Sequence, residues 1–210
     1  MKKKFILFDF DGVIVDTFEI GFQCGKSSGG HRSDRDKYRE MFSGNINEVI
    51  AESKKITPEE NKDEENKFFD CYIPKLLETS PIDGIGHVIK ELAKEYELVV
   101  ISSTISSPIQ EYLTMHGLDS FFLEIMGNDV DYKKTVKIQM VFDKYEIEPK
   151  DCVFITDTLG DVREAAKKEV SAIGVDFGFQ TREMLCEDGE IPVASTTEEL
   201  LTFVRDHFNR

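Results

Sequence analysis

Four apolar residues, Phe5-Ile6-Leu7-Phe8, run without transition into Asp9-Phe10-Asp11-Gly12. An apolar run of this length with no alternation reads as a strand covered on both faces, the kind from which a parallel α/β sheet is built. Ligand sites in such sheets lie outside the carboxyl ends of the strands. Asp9 and Asp11 are two residues apart, so extended chain sends both carboxylates to one side. Gly12 lets the backbone bend sharply beside them. Carboxylates this close repel one another unless a cation or a shared proton relieves them, and a hard dication such as Mg²⁺ is the economical answer. Taken alone, such a pair reads more readily as a polar turn after a core strand; the flanking Gly12 and Asp16-Thr17 and the rest of the chain shift that reading.

The rest of the chain repeats the pattern. Leu98-Val99-Val100-Ile101 and Val153-Phe154-Ile155 are also near-continuously apolar. From residue 80 onward the periodicity alternates, with helices over 83–95, 106–116, 134–145, 160–168, 180–186 and 197–208. Strands fall at 97–102, 122–126, 152–156 and 172–175 between them. Strand–helix alternation implies a parallel sheet covered on both faces. Residues 18–79, by contrast, are rich in charge and short of β-branched runs. Thr57-Pro58-Glu59-Glu60 starts a helix that runs to about Leu77, with Thr57 as its cap and proline at the first helical position. The segment is too long for a loop and reads as an inserted helical module. The expected organisation is a catalytic core of residues 1–17 and 80–210, interrupted by a helical unit over 18–79.

Two further strand ends carry chemistry. Ile101 is followed by Ser102-Ser103-Thr104, whose hydroxyls and free N–H groups at a helix entrance form a natural phosphate cradle; plain N-capping explains them equally well. Ile155 is followed by Thr156-Asp157-Thr158-Leu159-Gly160-Asp161, two acids four apart at a strand terminus and a second candidate metal contribution. Between these lie Lys133 and Lys134 at the start of a helix, where a cation is slightly unfavourable unless an anion is near.

The order strand–D-x-D, strand–Ser/Thr, lysine, strand–D-x-x-x-D resembles that of the haloacid dehalogenase superfamily, in particular its phosphoglycolate phosphatase-like branch. The resemblance covers essentially the whole chain, and D-F-D-G-V-I-V-D-T is its most specific part. It implies a Rossmann-like α/β core with a small helical cap inserted after the first strand. It also implies a phosphatase that hydrolyses small phosphate monoesters through an aspartyl-phosphate. Asp9 then resembles the nucleophile, Asp11 the general acid/base, and Ser102 the phosphate-binding hydroxyl, with Ser103, Thr104 and Gly12 around the phosphate. One of the two lysines orients nucleophile and phosphate; Lys134 is preferred because it leads directly into the helix, with Lys133 close behind. Asp9, Asp11, Asp157 and Asp161 resemble the Mg²⁺ site, Asp11 through its backbone carbonyl as well. Two departures stand out: Thr156 replaces a frequent glycine, and Lys-Lys-Thr replaces Lys-Pro. An acid two residues after the nucleophile favours an alkoxide leaving group over a halide. Alternatives are a phosphomutase using the same site, a receiver-like signalling domain, and a non-catalytic binding protein.

Composition narrows the partners. The formal net charge of −15 argues against nucleic acid and disfavours an anionic membrane. No apolar stretch approaches the roughly 18 residues needed to span a bilayer. The start Met-Lys-Lys-Lys lacks an uninterrupted apolar region and a small-residue cleavage site, so a cytoplasmic protein is expected, monomeric or homodimeric. Cys24, Cys71, Cys152 and Cys186 form no C-x-x-C pair and read as reduced thiols. Lys26, His31 and Arg32, beside Ser27-Ser28-Gly29-Gly30, point to a small anionic phosphorylated metabolite. The segment Asp176-Phe177-Gly178-Phe179-Gln180 resembles a family loop near the site. His87, His116 and His207 receive no role.

Overall fold

The computed structural model describes residues 3–27, 34–54 and 58–209, with the side chains of 51–62 outside the description. Its centre is a six-stranded sheet in the order β3-β2-β1-β4-β5-β6. The strands are β1 (Phe5–Phe8), β2 (Glu97–Ile101), β3 (Phe122–Met126), β4 (Cys152–Thr156), β5 (Ser171–Val175) and β6 (Val193–Ala194). Every pairing is parallel, as the unbroken apolar runs require. Period-two alternation divides β1 between two cores. Ile6 and Phe8 join the larger cluster with Val100, Val153 and Ile155. Phe5 and Leu7 face Val99, Ile138, Val141 and Phe154 on the other side.

Four helices separate β1 from the rest of the core: α1 (Phe18–Ser27), α2 (Arg35–Glu40), α3 (Ile46–Lys54) and α4 (Pro58–Leu77). Then come α5 (Ile85–Leu92), α6 (Ser106–Met115), α7 (Lys134–Tyr145), α8 (Leu159–Ala166), α9 (Arg182–Leu185) and α10 (Thr197–Phe208). The chain leaves and re-enters the core at neighbouring points, because Val15 bridges Pro81 and the Ile82 N–H donates to Ile14 O at 2.9 Å. The helical run after β1, the strand–helix alternation and the long α4 agree with the sequence reading. Its proposed cap, Thr57, lies outside the described residues, as do Ser28–Arg32. The sequence pattern does not mark α1 or the two-residue β6, and α9 is shorter than the helix expected over 180–186.

One expectation is corrected. Cys24 of α1 and Cys71 of α4 form a disulfide across 47 residues, with their Cα atoms 5.6 Å apart. The packing of α1 along α4 brings together two cysteines that spacing alone did not pair. Cys152 and Cys186 are free. Closing a loop of this length restricts the unfolded chain by roughly 4 kcal/mol in the chain-entropy model. Denaturant unfolding with and without dithiothreitol should therefore differ by a few kcal/mol; coincident curves would show the bond is not formed in solution. No described helix is long and apolar enough to cross a membrane.

Candidate active site

Parallel register brings the strand ends together. Phe8 is level with Val100 of β2 and Ile155 of β4, and the Asp9 N–H donates to Ile155 O at 2.9 Å. Asp9 follows the end of β1 directly, Ser102 the end of β2, and Asp157 the end of β4. Three adjacent strands thus deliver the polar residues that follow their ends to one spot, with the N-termini of α7 and α8 closing it.

Asp9 is buried, and Lys134 is buried with it. The Lys134 ammonium lies 2.7 Å from Asp9 Oδ2 and 2.5 Å from Asp161 Oδ2. Burial raises the Asp9 carboxyl well above the usual carboxylate range; Lys134 opposes this, and Asp161 and Asp157 reinforce it. Burial also works against the Lys134 ammonium, but Asp161 and Asp9 outweigh it and hold the lysine charged. Asp161 is pushed up by burial and brought below its ordinary value by Lys134. Lys133 differs in every respect. It is more than half exposed, and its ammonium pairs with Glu48 at 2.9 Å. Of the two candidate lysines, only Lys134 reaches Asp9. The Thr156 departure has a local role, since its hydroxyl donates to Asp161 Oδ2 at 2.9 Å.

Asp11 is surrounded by hydroxyls. Thr17 Oγ1 donates to its Oδ1 at 2.7 Å, and Thr104 Oγ1 donates to its Oδ2 at 2.8 Å. Tyr72 of α4 also donates to Oδ1, and Ser102 Oγ is 3.4 Å from Oδ2. The Asp11 side chain is therefore directed at proton donors. Ser102, expected to face the phosphate, lies at the base of this turn. It is fully buried, and its Oγ accepts the Thr104 N–H at 3.0 Å. Ser103 and Thr104 are the members of this turn that line the cavity. Gly12 shapes the turn beside Asp11. Its N–H donates to Val15 O at 2.8 Å. Its φ of +72° and a Cβ position only 1.8 Å from Asp157 Oδ2 explain why glycine stands there.

Asp157 tests the site for a metal. Its Oδ2 accepts the Phe179 N–H at 2.7 Å, while its buried Oδ1 has no hydrogen-bond partner. Burial raises this carboxyl to about 8, against the Phe179 N–H, which lowers it, and with Asp161, which raises it. Among the described residues no three carboxylate, imidazole or thiolate groups form a ready-made metal cage. The reason is visible: Lys134 occupies the space between Asp9 and Asp161, and Asp11 faces its hydroxyls. Mg²⁺ does not need such a cage. It is held through one or two carboxylates, with water and substrate phosphate completing its shell, and an orphaned buried carboxylate oxygen beside Asp9 fits that need.

The sequence did not mark several supporting groups. Glu164 Oε2 accepts the Lys134 N–H at 2.9 Å, and its Oε1 accepts Asn45 Nδ2 at 3.1 Å. Lys137 is completely buried and donates to Ser102 O at 2.6 Å and Gly127 O at 3.2 Å, tying the ends of β2 and β3. Burial lowers its ammonium to about 8, with Lys134 contributing. The Lys134-x-x-Lys137 spacing, one face of a helix, was the available signal. Gln180, flagged with its loop, accepts the Leu159 N–H at 2.6 Å and donates to Arg39 O at 2.8 Å, joining core to insert. Asp9, Asp11, Lys134, Asp157 and Asp161 all line one cavity of about 550 Å³ between the sheet and α1–α4.

Comparison with known proteins places this arrangement. Over 220 residues the chain is 21% identical to a phosphoglycolate phosphatase of Vibrio vulnificus, covering 96% of both chains. It is 26% identical over 219 residues to the pyrophosphatase PpaX of Listeria monocytogenes, again covering 96% of each. The crystal structure of a predicted phosphatase from Clostridium acetobutylicum superposes with a TM-score of 0.84 at 23% identity, over 98% of this chain and 100% of the other. Residues 6–175 match the family model of the haloacid dehalogenase-like hydrolases. From the acids at the ends of β1 and β4 to the buried Lys134, this chain belongs to the haloacid dehalogenase-like hydrolase family, as a phosphoglycolate phosphatase-like hydrolase.

Proposed function

We propose that the chain is a Mg²⁺-dependent phosphatase that hydrolyses a phosphate monoester through a covalent intermediate on Asp9. The observation that carries this reading is the Asp9 carboxylate on the cavity floor, held by Lys134 at 2.7 Å with the hydroxyl-ringed Asp11 two residues away. An Asp9 oxygen attacks phosphorus as the bond from phosphorus to the alcohol oxygen breaks, and Asp11 gives its proton to that departing oxygen. Water then attacks the aspartyl-phosphate and yields a proton to Asp11. The bond between Asp9 and phosphorus breaks and phosphate leaves. Lys134 neutralises charge on the transferring group, and the Ser103–Thr104 turn binds it. Asp9 and Asp157 would hold the Mg²⁺, with Asp161 and the Asp11 carbonyl next to them; the ion supplies further charge neutralisation when bound. Residues 18–79 act as a cap over the core formed by 1–17 and 80–210, excluding water during the reaction.

Mg²⁺-dependent release of inorganic phosphate from a panel of monoesters tests the proposal and separates hydrolysis from transfer to a second sugar. Absence of metal-dependent release would overturn it. A second test uses Asp157. Its carboxyl ordinarily titrates near 3.8 and is raised to about 8, so between these values the folded metal-free protein binds more protons than the unfolded chain. That stabilising contribution is complete below the ordinary value and is lost as pH climbs through about 8. Mg²⁺ replaces the proton. The rise in Tm on adding Mg²⁺ should therefore be larger at pH 8 than at pH 5.5; equal rises would remove Asp157 from the metal site.

A further inference from the structure

Tyr72 belongs to α4, in the helical insert, and is buried. Its place is set from two sides. Cys71, the residue before it, is joined by the disulfide to Cys24 of α1, and the Tyr72 ring stacks on Phe68 with centroids 5.2 Å apart. From there the phenol crosses to the loop after β1 and donates to Asp11 Oδ1. Packing accounts for the ring but not for the hydroxyl, which a phenylalanine would lack. Burial, with the Asp11 charge, pushes the phenol well above its ordinary value, so it gives a hydrogen bond and keeps its proton. The same carboxylate oxygen accepts from Thr17 Oγ1 at 2.7 Å. A carboxylate oxygen takes about two such bonds, and Oδ1 is thereby occupied. Oδ2 accepts from Thr104 Oγ1 at 2.8 Å, with Ser102 Oγ farther off at 3.4 Å. One oxygen of the acid is thus committed to the insert, while the other keeps capacity for a further partner. Asp11 and Tyr72 both line the cavity that holds Asp9 and Lys134.

We propose that Tyr72 is the positioning residue for the acid: its hydroxyl holds Asp11 through Oδ1, so that Oδ2 carries the proton to the departing alcohol oxygen. This rests on the phosphatase reading. As Asp9 forms its bond to phosphorus and the bond to the alcohol oxygen breaks, the proton passes from Oδ2 to that oxygen. The phenol's own proton stays in place. The hydroxyl therefore matters in proportion to how much the leaving oxygen needs a proton, a dependence that a merely structural tyrosine does not produce. The test is Tyr72→Phe, with Mg²⁺ and the full chain, on two esters built on one aromatic ring. Benzyl phosphate releases an alkoxide, which leaves poorly without a proton, and 4-nitrophenyl phosphate releases a phenolate, which needs none. For each ester kcat/KM reads the steps up to transfer onto Asp9. It should fall roughly 10- to 100-fold for the benzyl ester and less than about threefold for the nitrophenyl ester. Tyr112→Phe removes a buried hydroxyl that has no hydrogen-bond partner among the described residues, and should leave the ratio between the esters unchanged. If Tyr72→Phe does not fold, Tyr72→Met, whose side chain adapts to the space, carries the same comparison. Equal losses on the two esters, or no loss on either, overturn the positioning role and leave the phosphatase standing. A parent protein that cleaves only the nitrophenyl ester has no working acid, and that result overturns the role as well. Turnover of neither ester by the parent overturns both readings.

Discussion

Asp9→Asn should reduce phosphate release by roughly 10⁴- to 10⁶-fold, the scale of losing a nucleophile, while the folded protein survives. The second half of this expectation comes from the electrostatics. Asp9 sits in a buried cluster where burial and two neighbouring carboxylates oppose its ionisation, so a neutral amide of the same shape removes repulsion. Lys134 keeps Asp161 as its partner. In the presence of EDTA the variant should melt at or above the parent temperature. Residual turnover within tenfold of the parent would displace Asp9 from the nucleophile's role, whatever the melt shows.

Lys134→Ala should be costly in both respects. It leaves two buried carboxylates without the cation between them, and breaking a buried pair from one side costs about 3–5 kcal/mol. Urea unfolding should show that loss alongside abolished turnover. Lys133→Ala is the matched control: an exposed side chain paired on the surface should change stability by no more than about 0.5 kcal/mol. Similar effects from the two substitutions would contradict the separation of the lysines seen in the structure.

Much of the core was legible because its physics is local. Unbroken apolar runs ending in acids or hydroxyls marked β1, β2 and β4, and α7 and α10 have the expected bounds. The misses have identifiable causes. Helix α1 contains Gly21 and Gly25, poor helix formers; a Cβ on Gly21 would stand 2.5 Å from the Tyr38 hydroxyl, so close packing on α2 overrides the local preference. Strand β6 has two residues and pairs beside β5 at the edge of the sheet, with no periodicity to detect. The Cys24–Cys71 pairing and the Tyr72 contact with Asp11 join positions 47 and 61 residues apart, and no spacing rule encodes them. The hydrogen bonds that Ser102 and Gly12 make within their own turns are likewise set by the folded loops and have no signature in the residue spacing.

The bond from Tyr72 to Asp11 couples two events usually treated separately. The hydroxyl belongs to α4, which covers the cavity, and the acid belongs to the loop after β1. Lifting α4 from the sheet admits solvent and strips the acid of one of its donors in the same movement. The position of the covering helix and the hydrogen-bonding of the acid are therefore linked through one side chain. Under the proposed mechanism, an ester that holds α4 off the sheet would change the surroundings of Asp11 as well as the opening of the cavity, so the fit of the alcohol portion would be felt at the acid itself.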